Sequence, residues 1–245
     1  MDFGDILFTD RPATRRARDA MPRAALFDLD GTLIDSVPDI TLAVGELMEA
    51  NGLPAFSEND VREMVGHGLR PLVRRAFEAH GQMLDDDAFE RQIVRMSEIY
   101  PRHLTGKTRP MPFAGEALDM LEQGGTMLAL VTNKLQSAAN SVLGHFGWSD
   151  RFRVILGDQA RPSGLAPKPA PDMLQFTLAR LATHPLDAIM IGDSGADIAA
   201  ARAASVFSVA LRNGYSNVPI ETLNPDVVID TLADMDVALD AWRRR

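Results

Sequence analysis

The chain has 245 residues, 46% of them hydrophobic and 24% charged, with a formal net charge of -9 and no cysteine. That length gives one large or two small domains with room for a core. The acidic balance argues against non-specific nucleic-acid binding, the lack of any apolar run near ~20 residues argues against a helical membrane span, and zero cysteines leave no disulfide, thiolate metal site or cysteine nucleophile. An anionic substrate stays open, because a bound divalent cation can invert the local field. Absence of cysteine fits a reducing compartment, and a cytoplasmic protein is expected; the expected assembly is a monomer or homodimer.

Residues 1–22 mix four arginines with four aspartates and carry no signal-peptide core, so they read as a flexible N-terminal extension. The first element is a short apolar strand over 24–27, of the kind buried in a parallel sheet. From 37 to 110 almost nothing reads as strand. A helix is expected over 40–49 and is ended by Asn51-Gly52. A second begins after Ser57, which caps it. Gly66-His67-Gly68 breaks that helix before another over 69–79, and Asp85-Asp86-Asp87 opens a long helix to about Tyr100. This stretch reads as an all-helical insertion, with crossings near 36–37 and 109–114.

From Gly115 onward helices and strands alternate. Helices are expected over 116–123, 137–146, 171–182, 196–204 and 231–242, and strands over 127–131, 152–156, 188–191, 206–211 and 226–229. Such alternation predicts an α/β fold, a doubly wound parallel sheet with helices on both faces. Ligands of such sheets sit outside the carboxyl ends of the strands. Asp28, Thr132 and Asp193 each follow a predicted strand, so the pattern converges them on one pocket. Strand alternation also points Asp28 and Asp30 the same way. Two carboxylates that close are costly to bury unless a cation or a proton sits between them. Taken alone, Asp-Leu-Asp-Gly also fits a solvated turn.

Four segments in order add to this reading: Phe27-Asp28-Leu29-Asp30-Gly31-Thr32-Leu33-Ile34-Asp35-Ser36, Leu130-Val131-Thr132-Asn133-Lys134, Lys168-Pro169-Ala170-Pro171-Asp172 and Ile191-Gly192-Asp193-Ser194-Gly195-Ala196-Asp197. Together they resemble the motifs of the haloacid dehalogenase superfamily of phosphohydrolases, over residues 23 to the end. With the helical insertion, the whole pattern is most similar to the phosphoglycolate phosphatases. Ala114, Glu116, Ala170 and Ser205 depart from common residues of such relatives and leave the subfamily open.

The resemblance implies a Rossmann-like core over 23–36 and 111–245 and a helical cap over 37–110. It implies that Asp28 is the nucleophile and that Asp30 is the general acid and base. Thr132 and the Asn133 amide would bind phosphate, and Lys168 would neutralise both phosphate and Asp28. Mg²⁺ would be held by Asp28, the main-chain carbonyl of Asp30 and Asp193. Asp197 would orient Lys168 or a water on the metal; an acid favoured at a helix N-terminus is its other reading. In the cap, Gly66 and Gly68 allow close approach to a ligand and Arg70 could clamp a second anionic group; a helix-breaking turn with a solvated arginine is the alternative. The expected activity is hydrolysis of a small phosphate monoester, 2-phosphoglycolate, through an aspartyl-phosphate. A sugar-phosphate phosphatase or phosphomutase on the same scaffold is the second reading, and a non-catalytic binding scaffold the third.

Overall fold

The computed structural model describes residues 20–158 and 164–245. Most of the expected 1–22 extension therefore lies outside the described residues. Its last residues lie against the body: the Pro22 carbonyl accepts from Thr126 Oγ1 at 2.8 Å and the Ala20 carbonyl from Arg243 Nε at 2.9 Å.

Strand β1 (Ala24–Phe27) enters the sheet first, and a two-residue strand, β2 (Ile34–Asp35), follows the Asp28–Gly31 turn. Four helices come next: α1 (Val37–Glu49), α2 (Glu58–Arg62), α3 (Leu69–Ala79) and α4 (Asp86–Ile99). The chain returns through β3 (Arg109–Pro110), antiparallel to β2, with Asp35 opposite Arg109. This ribbon brackets the four helices. Asp39 at the start of α1 closes it by accepting from the Lys107 and Thr108 amides and the Thr108 hydroxyl. The first helix starts earlier than its apolar spacing implied, because Pro38 suits a first helical turn.

The remainder alternates: α5 (Ala114–Gln123), β4 (Met127–Leu135), α6 (Gln136–His145), β5 (Phe152–Asp158), α7 (Asp172–Arg180), β6 (Ala188–Gly192), α8 (Gly195–Ala203), β7 (Phe207–Leu211), β8 (Val227–Ile229) and α9 (Met235–Arg244). The six longer strands form one parallel sheet in the order β5-β4-β1-β6-β7-β8. The α/β doubly wound fold read from the sequence is thus the fold observed.

The sheet is buried on both faces, which is why its strands are continuous apolar runs rather than alternating ones. Ala25, Phe27, Ile189 and Ile191 pack with α5, α6 and α9, while Ala24, Leu26, Ala188 and Met190 pack with α7 and α8. A separate cluster, with Leu47, Val73, Phe77 and Met96 among its members, holds α1, α3 and α4 together. Fully burying one such side chain contributes about 1.5–3 kcal/mol, so each layer has its own source of cohesion. Among the described residues no helix is long and apolar enough to cross a membrane.

With β1 central, the chain runs outward through β4 and β5 on one side and β6, β7 and β8 on the other. The carboxyl ends of β1, β4 and β6 meet at this switch point, where open α/β sheets bind their ligands.

Candidate active site

Asp28 is the first residue past β1, and its amide is tied to the Ile191 carbonyl of β6 at 2.9 Å. Asp193 follows β6, and Asp197 lies in the first turn of α8. The three carboxylates are buried, and a ligand oxygen from each lies within 4.8 Å of the others. Lys168 reaches them from the loop before α7. Its Nζ donates to Asp28 Oδ1 at 2.8 Å and to Asp197 Oδ1 at 2.6 Å.

The remaining bonds fix each acid. Asp193 Oδ1 accepts from the Thr32 hydroxyl at 3.0 Å and Oδ2 from the Tyr215 amide at 2.6 Å. Asp197 Oδ2 accepts from the Ser194 hydroxyl and amide, forming a capping box. Asp197 thus caps α8 with one oxygen and bonds Lys168 with the other.

Three acids face one ammonium, and two of them, Asp28 and Asp193, are pushed upward. Burial pushes the Asp28 carboxyl up to about 6, with Lys168 pulling it down and Asp197 adding to the rise. Burial, then Asp197 and Asp28, raise Asp193 well above the usual carboxylate range. Burial alone would lower Lys168, but Asp197 and Asp28 outweigh it and keep the ammonium above its ordinary value. A centre short of positive charge, with oxygen donors alone, fits a hard divalent cation.

Beside this centre lies a small pocket shared by Asp28, Asp30, Thr132, Asn133, Gly66 and Gly68, with about 40 Å³ of space, room for a few water-sized groups. Strand β4 runs on past Val131, so Thr132 and Asn133 sit in extended chain rather than in the turn implied by the strand over 127–131. Asn133 Nδ2 donates to the Lys168 carbonyl at 2.9 Å and lies 3.5 Å from the Gly66 carbonyl. The Gly66-His67-Gly68 turn is thereby laid on the core. Gly68 has a φ of 91°, and a Cβ there would stand 3.0 Å from the Asn133 carbonyl oxygen, so only glycine fits comfortably.

Two expectations read differently in three dimensions. Asp30 reaches the pocket, but its carboxylate is already engaged, by Lys134 Nζ at 2.8 and 3.1 Å and by the Ser36 hydroxyl at 2.5 Å. Arg70 is not brought to the pocket. Its half-exposed guanidinium makes a bidentate pair with Glu90 and lies 5.0 Å from the Phe89 ring centroid.

The sequence reading gave no role to Lys134, Tyr100 or Tyr215. Lys134 is buried and donates to the Tyr100 hydroxyl at 2.6 Å as well as to Asp30. Tyr215 connects the acidic centre to the first crossing: its amide holds Asp193, its hydroxyl donates to Asp35 at 2.6 Å and accepts from the Ser36 amide at 2.8 Å, and Arg62 of α2 lies over its ring. The one available signal was the Thr-Asn-Lys run itself, a charged residue inside a buried strand end.

Carboxylates forced together beside a fixed ammonium are costly to a fold and useful to a reaction, and the chain is an enzyme of the hydrolase class. Residues 25–211 match the model of the haloacid dehalogenase-like hydrolases, and the chain belongs to that family. It is 34% identical over 212 residues to the phosphoglycolate phosphatase of Caulobacter vibrioides, covering 86% of this chain and 88% of that one. It is 35% identical to phosphoglycolate phosphatase 1 of Pseudomonas aeruginosa, over 88% and 79% of the two chains. The crystal structure of a predicted phosphoglycolate phosphatase from Haemophilus somnus superposes with a TM-score of 0.81 at 32% identity, covering 88% of this chain and 97% of that one.

The wall around Asp193 gives a steric test. A Cβ on Gly214 would overlap the Asp193 side chain. Gly214→Ala should fold yet displace that carboxylate, and a misplacement near 1 Å can cost about 10²-fold in rate. Steady-state kinetics on the purified variant reads this directly; wild-type kcat/KM would mean that Asp193 tolerates displacement.

Proposed function

We propose that the chain is a Mg²⁺-dependent phosphatase of small phosphate monoesters, working through an aspartyl-phosphate, with 2-phosphoglycolate as substrate. The observation that carries this reading is Lys168 bridging Asp28 and Asp197 beside Asp193, with Asp28 open to the pocket that Thr132 and Asn133 line. The names of the relatives support the substrate, and a pocket of this size supports a small one.

Phosphate monoesters hydrolyse so slowly in water that the protein must supply a positioned nucleophile and spread the charge of the moving phosphoryl group. Asp28 attacks phosphorus, and the bond to the ester oxygen breaks as Asp30, which takes up a proton in place of its Lys134 bond when substrate binds, gives that proton to the ester oxygen. In the second half Asp30 takes a proton from water as the water oxygen attacks phosphorus, which frees inorganic phosphate and regenerates Asp28. Thr132 and the Asn133 amide bind the phosphoryl oxygens. Lys168 holds Asp28 in place and offsets charge on the phosphoryl group. Residues 37–110 act as a cap, closing over the pocket through Gly66 and Gly68 and excluding water.

Asp28, Asp193 and the Asp30 carbonyl would hold Mg²⁺. When bound, the ion supplies Lewis-acid stabilisation of the phosphoryl group. Chelation should abolish turnover and Mg²⁺ should restore it, with Ca²⁺ a poor substitute because its looser geometry does not hold nucleophile and phosphorus in line. Because the Asp28 carboxyl sits at about 6 in the metal-free protein, adding Mg²⁺ near pH 6 should also release protons, measurable by calorimetry in buffers of different ionisation enthalpy. Full activity in excess chelator would refute the metal dependence.

A further inference from the structure

Lys134 is the one cationic side chain among the described residues that line the pocket with Asp28. It comes from the end of β4, and Tyr100 comes from the residue after α4, so core and helical layer each contribute one member of the pair. Both are buried, and the wall next to them is apolar: Ile40, Leu69, Leu72 and Leu135.

Their hydrogen bonds leave donors to spare. An ammonium carries three N–H groups. The two Asp30 oxygens lie at 2.8 and 3.1 Å from Nζ, close enough to share one of them, and a second goes to the Tyr100 oxygen. The Tyr100 oxygen accepts that bond, so its own O–H has yet to be used, and among the described residues it meets no acceptor. Unspent donors in an apolar wall favour a ligand that brings an acceptor, and a charged acceptor most of all. Arg70, the cation that the sequence offered for this task, is turned away and paired with Glu90.

We propose that Lys134 and Tyr100 form the subsite for a second anionic group, a carboxylate on the substrate, and so set the preference of the pocket for carboxylated phosphate esters. This deepens the phosphatase reading and rests on it for the position of the phosphoryl group over Asp28. Tyr100 and Lys134 then determine specificity, while Asp28 and its partners handle any phosphate that enters.

The test compares 2-phosphoglycolate with ethyl phosphate, which has nearly the same size and lacks the carboxylate. In the full chain carrying Asp28→Asn, with Mg²⁺ present, titration calorimetry should give at least about tenfold tighter binding of 2-phosphoglycolate, since a hydrogen bond to a charged group contributes about that much. Adding Tyr100→Phe, which keeps the ring, should shrink the ratio to roughly threefold or less. Equal affinities for the two esters before Tyr100 is changed would overturn the assignment, as would a ratio that survives Tyr100→Phe. Binding needs no turnover. Preferential binding of 2-phosphoglycolate by a chain whose unmutated form hydrolyses neither ester would refute the phosphatase reading and leave the subsite standing. Hydrolysis of both esters by the unmutated chain with equal kcat/KM would do the reverse.

Discussion

Asp28→Asn is expected to fold as the parent does and to lose turnover by roughly 10⁴-fold or more, the scale seen when a catalytic nucleophile is removed. Asparagine keeps the shape and can still receive the Lys168 bond at Oδ1, but it is a poor nucleophile and could not form the proposed phosphoenzyme. The stability effect has the opposite sign to the usual loss of an ion pair. The folded carboxyl titrates at about 6 against an ordinary 3.8, so between those values the folded state holds a proton that the unfolded state has lost. Stability therefore falls as pH rises through that window and stays lower above it. Asparagine does not ionise. In chelator, Asp28→Asn should be at least as stable as the parent at pH 7.5, with the difference shrinking toward pH 4. Thermal melts at the two pH values, beside a single-turnover assay, separate a chemical role from a structural one. Wild-type turnover would remove Asp28 as nucleophile.

What could be read before the fold was known follows from how local each signal is. The runs at 24–27 and 188–191 are buried on both faces, so they are uniformly apolar and plain in the sequence. Strand β4 was legible only to Val131. Beyond it Thr132, Asn133 and Lys134 are polar and line the pocket, and an apolar pattern cannot find a strand segment with such side chains. The β2–β3 ribbon has two residues per strand, too few for any periodicity. The acidic centre was readable because each acid follows a strand or opens a helix. The partners around it were not. Tyr215 meets Asp35 180 positions away in the chain, and Lys134 meets Asp30 104 positions away. Arg70 shows the same limit from the other side: a cation beside two glycines invites a ligand-binding role, but Glu90, twenty positions on, holds it at the surface.

Lys168→Met should strongly destabilise the metal-free fold. Lys168 is 3% exposed and is the one cation bonded to Asp28 and Asp197 among the described residues. Methionine fills similar space but leaves three buried carboxylates facing one another with only hydroxyl and amide donors from Thr32, Ser194 and Tyr215. Breaking a buried ion pair from one side typically costs about 3–5 kcal/mol, because the remaining charge is uncompensated. That loss depends on the acids being ionised, so two treatments should recover part of it. Lowering the pH toward 5 protonates Asp28, whose carboxyl is pushed up to about 6, and moves Asp193, which burial also raises, toward its neutral form. Adding Mg²⁺ replaces some of the missing charge. Melts of the variant at pH 5 and 7.5, with and without Mg²⁺, should show the largest deficit at pH 7.5 in chelator. Turnover should still fall roughly 10²–10³-fold at saturating Mg²⁺, as on removal of a preorganised electrostatic group, because the ion would not take over the role proposed for Lys168 at the phosphoryl group. A variant as stable as the parent in chelator at pH 7.5 would mean that the acids lose their charge rather than lean on Lys168, and its assignment as their counter-ion would fall.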